Sequence, residues 1–137
     1  MKTRLAKTQR LILFVAGALL ILVGMFILAS PTGFYASNNI QIDDNPSLLN
    51  ELKAPAGMLL VAGVFMIGAT FHRRMTDPAT WLAALIYLSY AASRLASIAF
   101  DGIPAAGLVQ AAALEGIVGL ACLAVMLIRR IPARRMA

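Results

Sequence analysis

Arg94 stands within Thr80–Asp101, an apolar stretch long enough to cross a bilayer. A charge near the centre of a membrane costs about 2.5–3.5 kcal/mol on insertion scales, so it must face the protein interior and find a partner. Glu115 is the second such group, in the apolar run that follows. Glu51, Lys53 and Asp101 flank these runs, and the five formal charges sum to −1. Tyr87, Tyr90, Arg94, Ser97 and Asp101 recur at intervals of three, four, three and four, which lays them along one helix face. Glu51, Lys53, Tyr90, Arg94, Ser97, Asp101 and Glu115 are therefore the candidate site residues.

This set is suited to more than one kind of chemistry. As an ion network it fixes the register of the helices that carry it. As a binding site open towards the outer face, Arg94 anchors the anionic group of a small or lipid-like molecule and Glu115 exchanges a proton. As an acid–base enzyme, Asp101 and Glu115 act on a lipid-like substrate that the tyrosines position, but no nucleophile–base pair or metal triad accompanies them. No catalytic residue is assigned.

Positioning these groups falls to helices in lipid. The chain has 137 residues, 61% hydrophobic and 13% charged, far from the roughly 45–50% and roughly 25% of soluble domains. Apolar runs lie at about 11–30, 54–71, 80–100 and 105–128, each near the roughly 17–25 residues of a spanning helix. The expected fold is all-α, a single transmembrane domain forming an antiparallel four-helix bundle with an outer loop over about 31–53.

The net charge of +6 is placed for topology and not for nucleic acid. Ten of the twelve basic residues (Lys2, Arg4, Lys7, Arg10, Arg73, Arg74, Arg129, Arg130, Arg134 and Arg135) fall on one side of the four runs. The positive-inside rule then places both termini in the cytoplasm, and the predicted location is the inner, cytoplasmic membrane. The first run is longer than the 7–15 residues of a signal-peptide core and is expected to be a retained helix.

Punctuation between the runs predicts their ends. Asn45-Pro46 and Asp77-Pro78 read as N-cap and first-turn pairs for the second and third helices. Pro55 is expected to kink or break the second helix. Gly102 is placed to end the third helix in a left-handed conformation, Pro104 to open the fourth and Pro132 to close it. Gly17 and Gly24 share a face where a neighbouring backbone can approach, and Gly57, Gly63 and Gly68 smooth the second helix in the same way.

No cofactor or metal is expected. His72 is the single histidine, Asp43-Asp44 lacks the spacing of a calcium loop, and Cys122 has no partner for a disulfide. The expected partners are the lipid bilayer, with a second copy, another membrane protein or a small-molecule ligand as further occupants.

Four pieces of the sequence carry a resemblance. They are Glu51-Leu52-Lys53-Ala54 with Gly57, Ser93-Arg94-Leu95 with Ser97, Asp101-Gly102-Ile103-Pro104, and Glu115-Gly116 with Gly119. From about Pro46 to the end of the last helix, the chain resembles an uncharacterised bacterial family of small four-helix inner-membrane proteins, a numbered domain of unknown function. In that pattern an arginine is usual in place of Lys53 and a glycine in place of Ser93. The resemblance implies the architecture and no activity, so an accessory or assembly protein with a purely structural charged cluster stands beside the binding reading.

Overall fold

The computed structural model describes residues 2–134, so Arg135 among the basic residues counted above lies outside it. The chain is all-α: α1 (Lys2–Ala29), a short α2 (Pro31–Ala36), α3 (Pro46–Phe71), α4 (Arg73–Asp101) and α5 (Ala106–Arg134). α1, α3, α4 and α5 are each long and apolar enough to cross a membrane.

The distribution of side-chain size explains why these helices belong in lipid. The buried positions are dominated by alanine, including Ala16, Ala56, Ala69, Ala79, Ala83, Ala84 and Ala91, whereas Phe71, Leu85, Phe100 and Ile117 are at least 66% exposed. Water would penalise so much exposed apolar surface. In hydrocarbon there is no such penalty, and small residues at the seams let the helices close on one another through van der Waals contact.

The α1–α3 seam is the tightest. A Cβ added at Gly17 would lie 2.8 Å from the carbonyl oxygen of Gly63, and one at Gly24 would lie 2.8 Å from that of Ala56. The pairing of residue 17 with 63 and of 24 with 56 makes the two helices antiparallel. Gly57 and Gly68 meet nothing within 4 Å, so these two glycines do not contribute to packing as their spacing suggests. α4 and α5 form a second antiparallel pair, with Gly119 against Leu88 and Gly116 near Ala91.

The two pairs are stitched together towards the end that carries the basic residues. Tyr87 donates a hydrogen bond to the Ala16 carbonyl at 2.7 Å. Gln9, 1% exposed, donates through Nε2 to Asp77 Oδ1 at 2.9 Å and Thr80 Oγ1 at 3.0 Å, and contacts Met126 Sδ at 3.4 Å. Arg129 Nη1 donates to Gln9 Oε1 and, at 2.6 Å, to Asp77 Oδ1. One glutamine thus joins α1, α4 and α5.

Asp77 has accordingly been recruited away from the capping role its sequence suggests. α4 begins at Arg73, with Pro78 inside it and His72 as an N-cap that makes no side-chain bond. The α3–α4 joint is instead sealed by Thr76, whose hydroxyl donates to the Ala69 carbonyl at 3.0 Å and the His72 carbonyl at 3.2 Å. This satisfies groups that a helix C-terminus leaves unpaired.

The other punctuation is partly overridden too. The Asn45 side chain caps α3 through Ser47 N and Leu48 N, but Pro55 lies within a helix that runs unbroken to Phe71. Proline removes the hydrogen bond to the residue four back and crowds that carbonyl, yet the helix continues on both sides of it. α5 likewise continues through Pro132 to Arg134. It opens after Pro104, with the Ala105 carbonyl accepting from Leu108 N and Val109 N. Gly102 ends α4 at φ 104° and ψ 177°, a conformation that residues bearing a Cβ avoid.

Candidate functional site

Away from the basic end, a cavity of about 490 Å³ lies among all five helices. It is there because α3 and α5 make no close contact within the described residues, although both line it. Its wall is mostly apolar: Leu20, Ile27, Leu59 and Leu108 are typical. α2 lies over it, contributing Phe34 and Tyr35, whose rings meet edge to face at 5.4 Å. Asn38, just beyond α2, rests where a Cβ on Gly107 would lie 2.6 Å from its Oδ1, so a glycine lets this cover seat on α5.

Two helices bring the charges into this wall. Arg94 Nε on α4 donates to Glu115 Oε2 on α5 at 2.9 Å, with the side chains 32% and 17% exposed. Side chains tilt towards the N-terminus of their own helix. In an antiparallel pair the two therefore lean towards each other, which closes the difference in depth between the positions. The contact uses only Nε. The Arg94 Nη groups make no hydrogen bond within the described residues, and Arg94, Glu115 and Tyr90 all line the cavity.

The remaining candidate residues do not join this pair, and the five-charge cluster does not form. Asp101 Oδ2 accepts from Ser97 Oγ at 2.9 Å, and both side chains are exposed at the end of α4. Glu51 is exposed, Lys53 is half-buried, and neither makes an ion pair within the described residues. The reason is angular. α3 presents Leu52, Pro55, Ala56 and Leu59 to the cavity, and Glu51 and Lys53 fall roughly 90–110° to either side of that line at 3.6 residues per turn. The polar stripe of α4 divides in the same way, with Tyr87 bonded to α1, Tyr90 and Arg94 on the cavity, and Ser97 with Asp101 beyond it.

Sequence reasoning misses the cluster of Gln9, Asp77, Thr80 and Arg129. A second, smaller cavity of about 290 Å³ lies beside it, lined by Asp77, Pro78, Trp81, Met126 and Arg129. The available signal was Gln9 itself, a residue of high hydrogen-bonding demand at the edge of an apolar run. It misses Tyr35 and Asn38 as cavity residues because nothing local folds that loop back over the helices.

A family model described as Domain of unknown function (DUF4345) matches residues 8–127, and the chain belongs to that family. The match takes in both halves of the Arg94–Glu115 pair and all the residues that line the larger cavity. No curated protein and no solved structure matches.

Proposed function

We propose that this chain is a multi-pass protein of the inner membrane, with both termini in the cytoplasm, that binds a small anionic or lipid-like molecule in the cavity on Arg94. Sidedness rests on the asymmetric lysines and arginines, which put the cavity in the outer half of the bilayer. The observation that carries the binding reading is the Arg94 guanidinium, which lines a mostly apolar cavity of about 490 Å³ with its Nη groups unpaired among the described residues. That volume lies within the roughly 300–1,000 Å³ of small-molecule sites, which are mostly apolar with a few placed polar groups. An ion pair that served register alone would gain nothing from an adjoining cavity.

Native mass spectrometry of protein released from membrane nanodiscs tests this. A co-purified or added small anion is retained by the wild type and by Glu51→Gln, and is lost from Arg94→Gln. Equal retention by all three would end the proposal.

A second reading is favoured by one feature, the outward face of α3. Gly57, Val61, Val64 and Gly68 lie on it, the valines 69% and 57% exposed and the glycines with nothing near them. Such a surface accepts a close-packed helix from another membrane protein or a second copy. Cysteine cross-linking at Val61 separates this from plain lipid contact.

A further inference from the structure

The position of the ion pair along the cavity narrows what that site can hold, on the premise that the binding reading above is correct. Arg94 is seven residues from the end of α4 at Asp101, and Glu115 is nine from the start of α5 at Ala106. At 1.5 Å per residue the pair lies roughly 10–14 Å below the helix ends. Most of the wall lies between the pair and those ends, formed by Ile27, Ile40, Leu52, Leu108 and Ala111 with α2 above them. A bilayer lipid has its head at the interface and its tails towards the midplane, which is opposite to this order of polar and apolar groups.

The charge balance selects further. Glu115 already offsets Arg94, so a bound monoanion leaves one net negative charge and a dianion leaves two, in surroundings where each is expensive. The Nη groups offer the paired N–H geometry that suits a planar carboxylate. Tyr35 and Tyr90 add phenol hydroxyls on the same cavity, neither bonded to protein within the described residues. We infer that the ligand is a small, single-tailed carboxylic acid enclosed whole, its carboxylate on Arg94 and its apolar tail directed outward beneath α2.

Calorimetric titration of nanodisc-embedded protein tests this, using straight-chain acids from butanoate to hexadecanoate with protein-free nanodiscs subtracted. Affinity rises about fourfold with each added methylene, the fold-change of about 0.8 kcal/mol per buried CH₂, and then turns down before hexadecanoate as the cavity fills. Ala111 lies one turn outward of Glu115. Ala111→Phe therefore moves the optimum to shorter acids. A rise that continues through hexadecanoate, with lysophosphatidic acid competing, overturns enclosure and outward orientation while leaving a lipid-binding role intact. So does an Ala111→Phe variant whose chain-length optimum is that of the wild type. If none of these probes binds the folded wild type, and no retained small anion is found by mass spectrometry, the binding reading fails with it.

Discussion

Gly63→Ala and Gly68→Ala add the same methyl group to the same helix and should change stability in opposite directions. At Gly63 the new Cβ would lie 2.5 Å from the Gly17 carbonyl oxygen and 3.0 Å from the Ile21 amide nitrogen. Both are backbone atoms that no rotamer change can move. Restoring an ordinary contact of 3.4 Å requires α1 and α3 to separate by roughly 0.9 Å at that point, and the same seam is held to similar tolerances at Gly17 and Gly24. Overpacking of this kind costs about 1–3 kcal/mol, against a helix-propensity gain of about 1 kcal/mol, so the net effect is a loss of up to about 2 kcal/mol. At Gly68 nothing lies within 4 Å, and only the gain remains. Reversible unfolding in mixed micelles, followed by circular dichroism, reads both changes. If the two variants shift in the same direction and by similar amounts, the backbone contact between α1 and α3 is not what closes this seam.

Other substitutions probe separate parts of the molecule. Arg94→Gln and Glu115→Gln singly destabilise the protein, and a double-mutant cycle returns a coupling of about 0.5–3 kcal/mol; a coupling near zero would mean that the half-exposed pair is solvated and contributes nothing. Tyr87→Phe costs only about 0.5–1.5 kcal/mol, because the Ala16 carbonyl keeps its partner within α1; a larger loss in the same unfolding assay would show that the hydroxyl positions α4. Gly102→Ala costs about 1–3 kcal/mol by forcing a Cβ into the conformation at φ 104°, and hydrogen exchange should report the loosening at the α4–α5 turn and not at the basic end.

Local chemistry made much of this fold readable in advance. Asn45-Pro46 starts α3 because its cap acts within three residues, and Gly102 ends α4 because its conformation is a property of one residue. Gly17 and Gly24 announce a close seam by sharing a face. What was not legible depends on groups far apart in the chain. Asp77-Pro78 has the form of a cap, but Gln9 and Arg129, 68 and 52 residues away, hold the carboxylate inside a helix that starts a turn earlier. Glu51 and Lys53 share the outer level with the candidate site, and only the rotation of α3 about its axis decides that they miss it. Sequence spacing gives the faces of a helix and does not say which face a neighbour will take.

The Gln9–Arg129 contact joins residues 120 apart, and that separation has a consequence for how the protein is made. During synthesis α1 enters the membrane with a buried-type glutamine whose partners do not yet exist. Asp77 and Thr80 arrive with α4, and Arg129 only when the last helix is almost complete. Until then Gln9, at the edge of its apolar run between Lys7 and Arg10, lacks the side chains that bury it in the finished fold. The four side chains that join α1, α4 and α5 therefore cannot all meet before the last helix has formed, which makes the clasp a late event in assembly.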